Sequence, residues 1–182
     1  MRKVIQVRLA GFGGQGIVLM GLILGEAGAL DGRHVCGSNS YGAQARGSAC
    51  KSEVILSDDP IDFPHVIKAG ILAVLSQGSY AAYREDVPDS GLILFDEIRV
   101  KPDESRRVQH IGIAASEYAL KQLGKGQATN MVMLGALVAA TGIVSMDAAR
   151  KAISLHVGET FRAINLKAFA AGVDLAGDLD NA

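Results

Sequence analysis

The chain has no tryptophan, 5% aromatic residues, two cysteines, four prolines and charges that nearly cancel. Each scarcity removes a class of function. With so few rings there is no platform for stacking bases or sugars. A net charge of −1, from 18 basic and 19 acidic side chains, leaves no clustered Lys and Arg for nucleic-acid phosphates. Cys36 and Cys50 allow at most one bridge, too few for the framework of a small secreted protein. Two thiolates also fall short of the four that normally hold an iron–sulfur cluster. Reduced core thiols are expected, facing each other across paired strands. The longest apolar run, Ile17 to Leu24, is broken by Gly21 and ended by Gly25 and Glu26. That is well under the roughly 20 residues of a membrane span. No signal-peptide core follows Met1. The expectation is a cytoplasmic protein with neither membrane nor nucleic acid as partner.

Against these absences stand 182 residues that are 49% apolar and carry 22 glycines. That length predicts one domain, residues 1–182, with a substantial core. Charged residues make up 20%, below the roughly 25% of an average soluble protein. Apolar surface hidden by a partner is the implication. Val4 to Ala10 reads as a strand, Ile17 to Leu30 as a largely buried helix closed by Asp31 and Gly32. Strands follow at His34–Ser38, Ala49–Ser57, Ile71–Leu75, Leu92–Phe95 and Arg107–Ile111, with Cys50, Ser52, Val54 and Leu56 sharing one face. A short helix fits Ser79–Glu85. Helices then dominate, over Ala114–Gly124, Asn130–Thr141, Ser145–Val157 and Thr160–Ala171, with Thr129, Ser145 and Gly158 as start signals. Alternating strands and helices predict an α/β fold. The architecture expected is a Rossmann-like open sheet of mostly parallel strands, helices on both faces and a helical C-terminal portion.

Chemistry concentrates in two segments. Gly11-Phe12-Gly13-Gly14-Gln15-Gly16 satisfies G-x-G-x-x-G between a strand and a helix. Glycines there let a ligand approach the backbone, and the helix N-terminus offers N–H groups to an anion. A dinucleotide site would also need an acid ending the second strand, for the ribose hydroxyls. Val35-Cys36-Gly37-Ser38 has none, and Asp31 lies too early. The same glycines could instead serve only tight strand-to-helix packing. The second segment, Asn39 to Ser48, is a polar loop carrying Tyr41, Arg46 and Gly47. It falls at the sheet edge that the glycine loop shares, where Arg46 could clamp a phosphate or carboxylate. A surface or subunit ion pair would use Arg46 equally well, and Tyr41 could stack on a ligand or cap a subunit contact.

Gly-Phe-Gly-Gly-Gln-Gly followed by Ser40-Tyr41-Gly42 and Arg46-Gly47 resembles the gamma subunit of 2-oxoacid:acceptor oxidoreductases. Ile55 to Ile61 and Asn165 to Gly172 are similar to later segments of that family, in the same order. Ser48 departs from the family's frequent Arg-Gly-Gly. The Ser-Tyr-Gly form resembles the 2-oxoglutarate branch most, with aryl-glyoxylate enzymes close by. The resemblance implies CoA-dependent oxidative decarboxylation of a 2-oxoacid to an acyl-CoA, carbon dioxide and two low-potential electrons. It implies thiamine diphosphate, magnesium and iron–sulfur clusters on partner subunits, with ferredoxin or flavin-bearing subunits taking the electrons. This chain would hold no catalytic residue and no metal. Gly11, Phe12, Gly13, Gly14, Gln15, Gly16, Tyr41, Arg46 and Gly47 are its expected CoA-contacting residues. A self-sufficient nicotinamide-dependent reductase and a non-enzymatic nucleotide-binding scaffold are the alternatives. The four histidines are scattered with no ligand spacing. Met131 and Met133 read as core filler, and the charged run from Lys101 to Arg107 as a solvated loop.

Overall fold

A computed structural model describes residues 4–42, 47–103, 105 and 107–177. Six strands form one sheet: β1 (Val4–Phe12), β2 (His34–Tyr41), β3 (Ala49–Ser57), β4 (Ile71–Val74), β5 (Leu92–Asp96) and β6 (Gln109–Ile113). Their order is β2-β3-β1-β4-β5-β6. The β1–β4, β4–β5 and β5–β6 pairings are parallel, and β3 runs antiparallel to both β1 and β2. The mostly parallel sheet is as expected from the sequence, and it carries an antiparallel insertion at one edge. Residues 39–41, expected in a loop, extend β2 because each finds a partner in β3, ending with Tyr41 opposite Cys50.

Among the described residues the α-helices are α1 (Ile17–Leu30), α2 (Gln77–Tyr83), α3 (Ala115–Lys121), α4 (Thr129–Thr141), α5 (Met146–His156) and α6 (Glu159–Gly177). Strand alternation divides the core between two faces. On one face Val7, Leu9, Val54, Leu56, Ala73 and Leu94 pack beneath the layer of α1, α3, α4, α5 and α6. On the other, Ala10, Leu72, Val74, Ile93 and Phe95 meet Tyr80 of α2. Met131 and Met133 are buried core, as the sequence predicts.

Two contacts fix the helical layer. A Cβ added to Gly172 in α6 would lie 1.8 Å from the Val132 carbonyl oxygen, and one on Gly135 in α4 would lie 2.0 Å from that of Phe169. The α4 and α6 backbones therefore touch where side chains would keep them apart. Asp31, at the end of α1, accepts the Ser145 N–H at 2.6 Å and its hydroxyl at 2.7 Å. Ser145 in turn accepts the Ala148 N–H at 3.1 Å and so caps α5, as expected. Thr129 is no cap: it is the first residue of α4, and its hydroxyl donates to Gly126 O at 2.7 Å. The cysteines do not face one another either. Cys50 pairs with Tyr41 on the α1 face, while Cys36 pairs with Ile55 on the opposite face. An odd offset in register puts two side chains on opposite sides of a pleated sheet.

Candidate functional site at the carboxyl edge of the sheet

β1 ends at the glycine loop, and the antiparallel register sets Phe12 opposite Ala49, the start of β3. The turn joining β2 and β3 is thereby brought against the loop. Gly13 N–H donates to Ser48 O at 2.8 Å, and Gly47 N–H donates to Gly13 O at 3.2 Å. The two segments singled out by the sequence are thus joined through their backbones. Arg46 lies outside the described residues. Tyr41 is described and is 71% exposed at the tip of β2.

Within the loop, Gln15 is an internal brace. Its Oε1 accepts the Phe12 N–H at 2.6 Å, and its Nε2 donates to Leu75 O at 3.0 Å, tying β1 to the end of β4. Gln15 N–H also donates to Phe12 O at 3.1 Å. Gly11 leaves room for this brace, since a Cβ there would sit 2.4 Å from Gln15 Oε1. Gly14 and Gly16 have φ of 96° and 74°, left-handed values that suit glycine, and Gly16 is the residue from which α1 starts. Gly16 O accepts from Asn130 Nδ2 at 3.1 Å, and Asn130 is 3% exposed. Phe12 lies against Gly78 of α2.

Next to Gly14 and Gly16 opens a cavity of about 370 Å³, with no described residue of the β2–β3 hairpin in its lining. Its lining includes Gly14 and Gly16 of the loop, Lys125 and Asn130 at the head of α4, and Phe161 and Asn165 of α6. His156 Nε2 is 3.4 Å from Glu26 Oε2. Among the described residues Lys125 has no carboxylate partner, unlike Lys121, which pairs with Glu117. Sequence reasoning missed Lys125, Asn130, His156, Phe161 and Asn165 as site residues. Asn130 touches Gly16 across 114 positions, and its one local signal is a polar residue heading an otherwise apolar run.

A second polar cluster, also unforeseen, lies on the sheet face opposite α1. Arg8, 4% exposed, donates through Nε to Glu53 Oε1 at 2.7 Å and through Nη1 to Asp86, while its guanidinium lies 5.0 Å from the Tyr83 ring centre. Lys51 Nζ reaches Glu53 Oε1 at 3.1 Å. Burial pushes the Glu53 carboxyl up, but the hydrogen bonds and charges of Arg8 and Lys51 outweigh it and hold Glu53 below the usual carboxylate range. On the α1 face burial pushes the Cys50 thiol up, so it is no activated nucleophile. Among the described residues no three His, Cys, Asp or Glu side chains come together as a metal site. No helix among them is long and apolar enough to cross a membrane.

The topology weighs against a dinucleotide site. Such a site puts the second strand beside the first, with an acid at its end. Here β3 separates β1 from β2, and β2 carries no acid. Residues 6–175 match the family model described as pyruvate ferredoxin/flavodoxin oxidoreductase. The chain belongs to this family. It is 44% identical to the 2-oxoglutarate synthase subunit KorC of Methanocaldococcus jannaschii, over 98% of this chain and 96% of that one. Among solved structures it is similar to the gamma subunit of a keto/oxoacid ferredoxin oxidoreductase from Geobacter sulfurreducens. Identity there is 36% with a TM-score of 0.82, covering 96% of this chain and 99% of the other. It is also similar to a 2-oxoglutarate:ferredoxin oxidoreductase from Magnetococcus marinus with 2-oxoglutarate, coenzyme A and succinyl-CoA bound. Identity is 25% and the TM-score 0.88, covering 97% of this chain and 31% of that longer one.

Proposed function

We propose that the chain is the gamma subunit of a cytoplasmic 2-oxoglutarate:ferredoxin oxidoreductase and is not catalytic alone. The observation that carries this reading is 44% identity to a 2-oxoglutarate synthase subunit along nearly the whole of both chains. The reaction converts 2-oxoglutarate and coenzyme A to succinyl-CoA and carbon dioxide, and passes two electrons to the acceptor. The described residues offer no donor set for a metal or cluster, and Cys36 and Cys50 lie on opposite faces of the sheet. On this reading thiamine diphosphate, magnesium and iron–sulfur clusters are carried by partner subunits, with ferredoxin or a flavin-bearing subunit receiving the electrons.

The chain's own contribution is to hold coenzyme A, which supplies the thiol that accepts the acyl group. The glycine loop fits an anion: Gly14 and Gly16 keep the backbone bare, α1 begins at its end, and a cavity adjoins it. Gly13, Gln15 and Gly47 shape the loop through backbone and brace hydrogen bonds. Arg46, which lies in sequence between β2 and β3, is the guanidinium that this reading adds to the loop. Mass spectrometry of proteins co-purifying with the chain at native level tests the assignment. Thiamine-binding and iron–sulfur subunits in fixed ratio are expected; a folded chain that emerges alone would refute it.

A further inference from the structure

β2 closes one side of the sheet and, among the described residues, pairs with β3 alone. An open edge is a template for another strand, and monomeric proteins blunt theirs with charged residues, proline, a bulge or a very short strand. β2 has none of these. Its eight residues, His34–Tyr41, keep one unbroken register with β3 and include no Lys, Arg, Asp, Glu or Pro. The opposite edge strand, β6, has five residues. One bond fixes which backbone groups of β2 face outward. Gly42 N–H donates to Ala49 O at 3.2 Å, continuing the β2–β3 register by one pair. Hydrogen-bonded and non-hydrogen-bonded pairs alternate along an antiparallel ladder. Ser40, Ser38 and Cys36 therefore bond to β3, while Tyr41, Asn39, Gly37 and Val35 turn their N–H and C=O to the open side. Those same four residues share the α1 face of the sheet, where Tyr41 is 71% exposed.

We propose that β2 is the docking edge for a second copy of this chain, the two strands running antiparallel about a two-fold axis at Ser38. The occupant follows from the edge's complementarity to itself. With the axis at Ser38, Val35 faces Tyr41 of the second copy and Gly37 faces its Asn39. All four outward residues are then paired, each pair exchanging two N–H···O bonds. An axis at Gly37 would set Tyr41 against Arg33, outside the strand. A one-residue slip is barred, because it would oppose residues from different faces. Val35 with Tyr41 is a β-branched–aromatic cross-strand pair, and Gly37, diagonal to Tyr41, leaves room for the ring. The strand holds no carboxylate, lysine or arginine, so the two-fold brings no fixed like charges together. The two six-stranded sheets become one continuous sheet. This contact needs no ligand and stands apart from the coenzyme A reading.

Analytical ultracentrifugation of the full chain over a concentration series should show twice the chain mass. Asn39→Pro deletes an outward N–H from both copies and leaves the β3 ladder intact. It should raise the dimer dissociation constant roughly tenfold or more, with an unchanged circular dichroism spectrum. Cross-linking tests the register independently of that variant's folding. Ser38→Cys in a Cys36→Ser background sets two thiols opposite each other in a non-hydrogen-bonded pair, about 4.5 Å apart at Cα and within disulfide reach. Mild oxidation should link the chain to itself, both alone and in the assembled complex. A chain that sediments as a monomer throughout, a folded Asn39→Pro protein that dimerises normally, or a Ser38→Cys protein that does not self-link would each overturn the pairing. A cross-link to a different subunit would give the edge to that subunit and overturn it as well.

Discussion

The two faces of the sheet follow different rules. Beneath α1, strand residues Val7, Leu9, Val54 and Leu56 are buried among apolar neighbours. One residue along, on the opposite face, Arg8 and Glu53 are also buried, yet they are charged and joined to Lys51 and Asp86. The first face is stabilised by area removed from water and tolerates change in proportion to volume. The second depends on every charge keeping its partner, because a buried charge left alone is far more costly than a lost contact. Burial alone therefore does not tell how a position will respond to substitution.

The largest expected effect is at the point where the helical layer closes. Gly172→Ala and Gly135→Ala each push a methyl against a carbonyl oxygen of the facing helix. Overpacking against backbone should destabilise the chain by about 3 kcal/mol, although alanine favours an isolated helix by about 1 kcal/mol over glycine. Denaturant unfolding of each variant checks the sign, and a stabilised variant would mean that the helices separate freely.

Next comes the charged face. Arg8→Ala leaves Glu53 with Lys51 as its remaining cation and Asp86 open to water, and should cost about 2 kcal/mol, less than a fully stranded buried charge would. The same cluster sets a pH dependence. Because Glu53 has a folded pKa below its unfolded one, its contribution is fully present above the ordinary carboxylate range and is lost as pH falls through the folded value. Glu53→Gln should therefore flatten the acid limb of stability against pH. An unaltered acid limb would remove Glu53 as its source.

The smallest effect is expected at the loop brace. Gln15→Ala abandons the Phe12 N–H and the Leu75 carbonyl at a partly exposed site where water can replace the lost partners. Destabilisation of about 1 kcal/mol follows. Hydrogen exchange at Phe12 should quicken, while the amides of β3 stay protected.

Legibility in the sequence divides along the same line. Period-two alternation in Ala49–Ser57 identifies the face that meets α1, and the Asp31-Gly32 stop marks where α1 ends. The glycine loop and the Tyr41–Gly47 segment are legible because their chemistry is local. The hairpin insertion is not, since a strand's neighbour is chosen by pairing and not by its own residues. Arg8 pairs with residues 45 and 78 positions away, and Asn130 with one 114 away. No window of sequence contains those contacts. Asp31 is the instructive intermediate: too early to serve a ribose, it binds Ser145 at the head of α5 instead.

If the chain is, as proposed, an obligatory and non-catalytic subunit of a 2-oxoacid oxidoreductase, its partner subunits turn over only in its presence. The most direct measurement is 2-oxoglutarate- and coenzyme A-dependent acceptor reduction by the partner subunits while this chain is titrated in. Activity should rise to a plateau at a fixed molar ratio, and the chain alone should reduce nothing. Acceptor reduction by the chain alone, or full activity of the partners without it, would overturn that role.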